Sequence, residues 1–452
     1  MTAPDWLYDA IFYQIFPDRF ANADPALDPP GVEPWDSAPT RENFLGGDLK
    51  GIVAHLDHIV SVGANALYLT PIFAADTNHR YDCTDYFAID PHLGTLADFH
   101  ALLEACHARG IRVVLDAVLN HCGYGHWAFQ DVIAHEEASP YVNWFSVEGF
   151  PVSPKPKPNY RTCSGYWAMP KWNAYNPEVR AHHDKVARYW IEQGIDGWRL
   201  DVPYFITMPF WRGFRDAVKG IDPDLYIVAE EWHYPLRWLK GDTADGTMNY
   251  ALRNLILGFC ADRTLDAAGF ADGLNHLNQR IPEGFHHGML NLVGSHDTER
   301  ILTRCGGDEA RTRLAFTALL CAQGAPMVYY GDEVGMAGEN DPGCRAGMVW
   351  DERRWSAPMF GHLRALTGLR QSYAALRRGT QAVSALGTDT VLMSRQWADE
   401  TVVAILHRGA GTTVPGSALP GTGADGRSFA IPAASSVVLV RPSPAGEWTV
   451  AL

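Results

Sequence analysis

Unbroken apolar runs of strand length, each followed by an amphipathic stretch of helical period, recur from about residue 8 to residue 378. Few architectures accept that rhythm. AIFYQIF, NALYLTP, IRVVLDAV, DGWRLDV, LYIVAE, LNLVGSHD and PMVYYGDE are rich in β-branched and aromatic residues and bounded by glycine or polar residues. A strand without apolar–polar alternation is buried on both faces, which is the condition of a parallel sheet covered by helices. GIVAHLDHIVSVG, TLADFHALLEACHARG, PEVRAHHDKVARYWIEQG and ARTRLAFTALLCAQG supply the covering helices, with Thr95 placed to cap one and Gly110 and Gly194 to end two. DGTMNY offers a weaker further strand. Right-handed strand–helix repetition of this length fits a closed (β/α)8 TIM barrel or a doubly wound sheet.

Two segments break the rhythm and set the expected domains. Residues 121–168 carry proline, glycine and aromatics without a clean period, between the third strand and its helix. They read as an inserted loop domain on the C-terminal face of the barrel. From residue 379 the pattern changes to short alternating strands such as TVLMSRQW, TVVAILHRG and SSVVLVRP, separated by Gly/Pro-rich turns. That is the signature of a C-terminal antiparallel β-sandwich spanning 379–452. The barrel then takes residues 1–120 and 169–378.

Composition removes several classes of function. The 452 residues carry 37 basic and 52 acidic side chains, a net charge of −15, and a nucleic-acid partner requires a basic face instead. No stretch approaches the ~20 apolar residues that cross a bilayer, so no membrane association is expected. The opening MTAPDWLYDAIFYQ lacks a basic n-region and a clean apolar h-region, so a signal peptide is not expected either. Eight cysteines without a CxxC pair sit in apolar surroundings, as reduced buried thiols of a cytoplasmic protein would. Many of the 15 tryptophans lie beside polar residues, in HWAF, VNWF, PKWN and EEWH. Core packing accounts for most tryptophans, but a surplus of this kind also suits a cleft in which flat sugar faces stack on rings.

The acids are the informative residues. Asp116 and Asn120-His121 follow IRVVL; Arg199 and Asp201 close GWRLD; Glu230 closes YIVAE; His296-Asp297 close LVGSHD; Asp332-Glu333 close VYYGDE. One acid at a strand end is ordinarily a helix cap. Five such ends, with histidine and arginine among them, are hard to explain by capping, and this is the rim on which barrel active sites are built. Converging carboxylates in an aromatic cleft suit glycoside hydrolysis, which needs one nucleophile and one protonated acid.

DAVLNH, GWRLD, VAEEW and LVGSHD resemble the four signature regions of the α-amylase family of glycoside hydrolases. MPKWN at 169–173 resembles that family's fifth region, in the form typical of the neopullulanase, cyclomaltodextrinase and maltogenic amylase group. FYQIFPDRFAN, NHRYDCTDY and YYGDEVGMAGENDPGCR extend the similarity, in family order, over about residues 8–360. The resemblance implies Asp201 as nucleophile, Glu230 as general acid and then base, and Asp297 as the holder of sugar hydroxyls at subsite −1. It further implies that His121 and His296 donate to that sugar, that Tyr81 stacks beneath it, and that Arg199 keeps the nucleophile ionised. Asp341 and Arg345 would line the donor side, Trp232 would stack on acceptor sugars, and Asp116 would brace Arg199. In AEEWH the family pattern assigns the acid to Glu230 and leaves Glu231 in a variable slot.

The resemblance also implies a structural Ca²⁺, held by Asn22, Asp24, Asp28, the Gly46 carbonyl and Asp48, a hard-oxygen set suited to that ion. Leu27 stands where these relatives usually carry Asn. The chain meets the pattern at its first barrel strand, where the group usually has a preceding β-domain, so the resemblance carries over no oligomeric state. DVPYF after the nucleophile departs from the group's common Asn-Glu pair. The implied activity is retaining hydrolysis of α-1,4-glucosidic bonds in maltooligosaccharides, cyclodextrins or related α-glucans. A glucan transglycosylase or an α-glucosidase uses the same intermediate and stays open. A non-catalytic binding barrel is disfavoured, since all three catalytic acids are present.

Overall fold

The computed structural model describes residues 2–421, 427–444 and 446–452. Eight parallel strands form its centre: β1 (Phe12–Ile15), β2 (Ala66–Leu69), β3 (Arg112–Ala117), β4 (Gly197–Leu200), β5 (Tyr226–Ala229), β6 (Gly246–Thr247), β7 (Leu290–Asn291) and β8 (Ala325–Tyr329). Their spatial order is β6-β5-β4-β3-β2-β1-β8-β7. A parallel bridge between Met248 and Leu290 joins the two ends. The sheet is therefore a closed barrel, which settles the choice between barrel and doubly wound sheet.

Strand parity explains why these runs lack polar alternation. Tyr13 and Ile15, Leu67 and Leu69, Val113 and Leu115, and Ile227 and Ala229 face outward into the large core shared with the helices. Phe12, Ala66, Tyr68, Val114, Tyr226 and Val228 face inward and fill the barrel. Both faces are apolar, so the sequence reads as continuous hydrophobic runs. The helices are punctuated as their residues require. Thr95 forms a capping box with Asp98 ahead of Leu96–His107, and Gly194 ends Pro177–Gln193 in the left-handed conformation, at φ 107°.

Toward the carboxyl ends the inward positions turn polar. Gln14 follows Phe12, Asp116 follows Val114, and Arg199 follows Gly197, with Asp116 paired to Arg199 in the β3–β4 register. Continuing that parity brings Asp201 and Glu230 to the same rim. LNLVGSHD departs from expectation: only Leu290–Asn291 is strand. Beyond it the Ser295 N–H donates to Thr298 Oγ1 at 3.0 Å, and the Asp297 N–H to Ser295 Oγ at 3.3 Å. This local turn takes the chain out of the ladder, so Asp297 arrives from a loop.

The inserted segment contains a helix that its composition hid, Trp127–His135, capped by His126 and buried along Ala128, Phe129 and Val132. The rest is held by isolated bridges such as Val147–Tyr160 and Phe145–Trp172. The C-terminal region forms strands β9 (Thr380–Leu386), β10 (Thr390–Trp397), β11 (Glu400–His407), β12 (Thr412–Pro415), β13 (Ser428–Ile431), β14 (Ser435–Arg441) and β15 (Thr449–Val450). An antiparallel sheet β9-β10-β11-β14-β15 carries a β12–β13 hairpin. Val391, Met393, Val402, Ala404 and Leu406 join the barrel's core. The alternate residues Leu392, Val403, Ile405 and Leu439 pack against Val414, Leu419 and Ile431 of the hairpin side. Here the period of two is that of a sheet covered differently on its two faces.

Barrel closure admits no side chain at Gly246, because a Cβ there would be driven into the Gly288 carbonyl. Gly246→Ala should lower the thermal midpoint sharply, at a cost of about 3 kcal/mol or more, or abolish soluble protein. Gly213, inside the helix Met208–Lys219 with nothing near its Cβ direction, gives the contrast. Gly213→Ala should raise the midpoint slightly, by about 0.5–1 kcal/mol of helix propensity. Thermal denaturation of both variants against the parent checks the pair.

Candidate active site

Arg199 organises the rim. Its guanidinium is buried, and Nη1 donates to Asp116 Oδ1 and Oδ2 at 2.9 and 3.0 Å and to Asp201 Oδ1 at 2.9 Å. Nη2 lies 3.1 Å from Glu230 Oε2. One cation thus holds Asp201 and Glu230 side by side, with Asp116 fixing it from behind. Asp116 is fixed in turn by the Tyr68 and Tyr81 hydroxyls, at 2.7 and 2.9 Å. It braces Arg199, as its position in the sequence implied.

Glu230 receives two further donors, Trp232 Nε1 at 2.7 Å and the Val202 N–H at 2.8 Å. Val202 reaches that carboxylate from a left-handed backbone, φ 35°, which a β-branched residue adopts only under constraint. The turn immediately after Asp201 is bent so that its N–H faces Glu230. Glu231 takes the other parity. It accepts from Arg237 Nε and Trp238 Nε1, both at 2.9 Å, and is not among the residues that line the cavity holding Glu230.

Asp297 lines the same cavity as this pair, a space of about 820 Å³. Its Oδ1 lies 3.2 Å from Arg345 Nη2 and its Oδ2 3.2 Å from His296 Nε2. Arg345 Nη1 reaches Asp341 Oδ1 at 2.9 Å. Tyr81, His121, Trp232, Asp341 and Arg345 line the same cavity, with Cys163, Ser164, Tyr166 and Met169 of the inserted region and its flank forming a wall. His121 lines it with a buried ring, whose Nδ1 lies 3.2 Å from Asn120 Nδ2.

Two predicted residues have close partners within the protein. His296 is fully buried behind Tyr81, 2.6 Å from its hydroxyl, and takes a bond from Gln14 Nε2 on Nδ1 at 2.7 Å. With Nδ1 accepting, its proton sits on Nε2, aimed at Tyr81 and Asp297. Trp232 lies stacked on Tyr250, ring centroids 3.9 Å apart, so one of its faces is already covered. Asp332 and Glu333 are corrected outright as members of the acidic rim. Asp332 pairs with Arg300 at 2.8 Å, and Glu333 accepts from the Tyr13 hydroxyl at 2.7 Å, both buried away from the cavity. They neutralise core groups instead.

Sequence reasoning missed Gln14, Tyr204, His79 and Arg41. Gln14 had a readable signal, a lone amide inside an apolar strand, where burial demands a partner. Tyr204 fell in the DVPYF departure and lines the cavity beside Asp201.

Burial raises the titration of Asp201 well above the ordinary carboxylate range, opposed by Arg199 and reinforced by Asp116, Glu230 and Asp297. Glu230 is raised for the same first cause, again opposed by Arg199 and reinforced by Asp297. The cluster therefore keeps a proton to higher pH than separate carboxylates would. Burial lowers His121 to about 4 and His79 to about 3, so both are neutral wherever the acids do their work.

The loop residues implied for calcium fall together but do not form an ion cage as they stand. Asn22 Nδ2 donates to Asp28 Oδ1 at 2.7 Å, and Gly46 lies against both side chains. Asp24 Oδ2 is 2.6 Å from Lys50 Nζ. Asp48 accepts the Ala23 and Asp24 N–H groups on Oδ2, at 2.8 Å each, and caps a helix with Oδ1. Among the described residues no group of three or more His, Cys, Asp or Glu is arranged around a metal position. The oxygen chemistry suits a hard cation; the present arrangement does not.

Known proteins bear out the lineage of this site. The alpha amylase catalytic domain family matches residues 14–401. A cyclomaltodextrinase of Geobacillus thermopakistaniensis (strain MAS1) is 47% identical over 410 residues, covering 90% of this chain and 70% of that protein. Neopullulanase 2 of Thermoactinomyces vulgaris is 47% identical over 381 residues, 84% of this chain and 65% of the relative. The chain thus spans about two-thirds of the length of these relatives. Among solved structures, the ligand-free cyclic α-maltosyl-(1→6)-maltose hydrolase from Arthrobacter globiformis is similar with a TM-score of 0.96 and 62% identity, over 98% of this chain and 100% of that one. With the signature acids gathered on the rim of a closed barrel and the catalytic-domain match running through them, the chain belongs to the α-amylase family of glycoside hydrolases.

Proposed function

We propose that this glycoside hydrolase cleaves α-1,4-glucosidic bonds in short or cyclic maltodextrins, with retention of configuration. The observation that carries the reading is the pair Asp201 and Glu230 on one guanidinium, in a cavity that Asp297 also lines. The Asp201 carboxylate attacks the anomeric carbon as Glu230 gives its proton to the departing glycosidic oxygen. The bond to the leaving sugar breaks and a glycosyl ester on Asp201 forms. Glu230, now a carboxylate, takes a proton from water, whose oxygen displaces Asp201 and regenerates both groups. Arg199 stabilises the anion on each carboxylate in turn. Asp297, supported by Arg345 and His296, holds donor-sugar hydroxyls, and Tyr81 packs beneath that ring.

The raised titration belongs to the carboxylate cluster, and the first step uses its proton on Glu230 with the charge on Asp201, where Arg199 pairs the anion. As pH rises through that raised value the proton is lost, so kcat/KM should fall on the alkaline side. Asp201→Asn and Glu230→Gln should each lower kcat by about 10³-fold or more, with oligosaccharide binding retained. Glu231→Gln should lower the thermal midpoint instead, because it unpairs Arg237. Proton NMR of the first product should show the α-anomer; initial β-anomer would overturn retention.

Preference for small substrates rests on the walled cavity and on similarity to the Arthrobacter globiformis hydrolase, whose structures include complexes with cyclic α-maltosyl-(1→6)-maltose and with maltose. Measured kcat/KM for maltotriose and β-cyclodextrin should exceed that for soluble starch. A clear preference for starch would recast the protein as an endo-acting amylase. Transglycosylation shares the glycosyl-Asp201 ester, and the exposed aromatics Tyr166 and Phe205 support an acceptor sugar. Free glucose added to the assay distinguishes the two by the appearance of longer products.

Calcium is proposed as a stabiliser rather than a participant. Its support is the oxygen set Asn22, Asp24, Asp28, Gly46 and Asp48, and binding requires Asp24 to exchange Lys50 for the ion. Calcium at a hundredfold excess over Kd should raise stability by about 2.7 kcal/mol, and chelator should lower the melting temperature with little change in initial rate. Equal melting temperatures in calcium and chelator would leave Lys50 as the cation of that loop. A cytoplasmic location is proposed from the eight buried free thiols and from the 42% identity to the intracellular maltogenic amylase of Bacillus subtilis (strain 168). No helix among the described residues is long and apolar enough to cross a membrane.

A further inference from the structure

The cleft has two chemically different ends. Glu230 marks the side from which the leaving sugar departs, and Trp232 and Tyr204 line the cavity there. The opposite, donor end is ionic. From Asp297 a chain of charges runs through Arg345 to Asp341 Oδ1, and Asp341 Oδ2 lies 3.2 Å from Arg41 Nη2. Arg41 belongs to a loop far from Asp341 in sequence, and both side chains line the cavity. The pair therefore joins two walls of the cleft.

Although the Arg41 side chain is 63% exposed, its backbone is fixed. The buried Asn78 side chain donates to the carbonyls of Thr40, Arg41 and Asn43, at 3.3, 3.1 and 2.7 Å. Asn43 Oδ1 accepts the Thr40 N–H at 2.8 Å, and buried Arg19 donates to both Asn43 oxygens, at 2.6 and 3.0 Å. Asn78 also leads directly into His79-Arg80-Tyr81, so the loop that presents Arg41 is tied to the segment that presents Tyr81. A surface arginine on a free loop has no such support, and an exposed ion pair on mobile chains contributes little.

We propose that the Arg41–Asp341 ion pair is a latch that ends the cleft on its donor side, making Arg41 a specificity-determining residue. The proposal rests on the function proposed above and names what limits substrate length. A glucan with further donor-side units has to pass between the two walls, and no sugar ring fits through a 3.2 Å contact. Chains that stop or turn back within the cavity are accepted. Longer chains enter only when the latch opens, so the barrier falls on their kcat/KM.

Arg41→Ala, Arg41→Lys and the parent are compared on maltotriose and on soluble starch. In Arg41→Ala the ratio of kcat/KM for starch to that for maltotriose should rise about fivefold, the factor an exposed pair of about 1 kcal/mol provides. The change should lie mainly in KM for starch. Arg41→Lys keeps the charge and should return the ratio toward the parent's. Salt at about 1 M, which screens exposed charges, should raise the parent's ratio and leave that of Arg41→Ala unmoved. An unchanged ratio in Arg41→Ala, with a parent-like melting temperature, overturns the latch. Failure of the parent to hydrolyse either substrate overturns the function reading instead, and the two failures are told apart by the parent alone.

Discussion

A single buried guanidinium holds the whole site in register. Arg199 sits above a barrel interior packed with Phe12, Tyr68, Val114 and Val228, and a cation buried there is tolerable only when fully paired. Asp116, Asp201 and Glu230 supply the pairing, and each is presented by a different strand or strand end. Removing one partner of a buried pair typically costs about 3–5 kcal/mol, so this arrangement locks geometry as well as charge. The same lock explains the electrostatics. Three acids around one cation are more than it can neutralise, and burial denies them water. The cluster keeps a proton, which is the state an acid catalyst requires.

How much of this was legible in sequence depends on whether strand period or loop geometry placed the residue. Period two along β3, β4 and β5 puts Asp116, Arg199, Asp201 and Glu230 on the inner face, and it sends Glu231 outward to Arg237 and Trp238. Parity separates Glu230 from Glu231 once the strand is recognised; the choice between them came from the family pattern. Asp297 was recognised by its motif, yet its strand is two residues long and the Ser295–Thr298 turn delivers it. Asp332 and Glu333 show the opposite error. At the end of an apolar strand they look like site acids, but Arg300 engages Asp332 Oδ1, and Tyr13 and His58 engage Glu333 Oε1. Sequence spacing cannot show such partners, because they come from remote segments of the chain.

Outside the barrel the limit was compositional. Trp127–His135 is a helix whose short apolar face packs against aromatics of the same insertion, so no long period announced it. The C-terminal sheet was plain, since its two faces meet different neighbours and each strand alternates accordingly.

The inserted segment and the loop bearing Arg41 shape the cleft without touching the reacting pair. One contributes exposed aromatic surface at Tyr166; the other contributes charge. Aromatic faces bind sugars by area and tolerate many poses, whereas an ion pair has one geometry and a sharp limit in distance. An acceptor side built from rings admits water or a sugar hydroxyl alike. A donor side closed by charge measures length. Arg199 and its carboxylates set the chemistry of the site, and these two walls set the space around it.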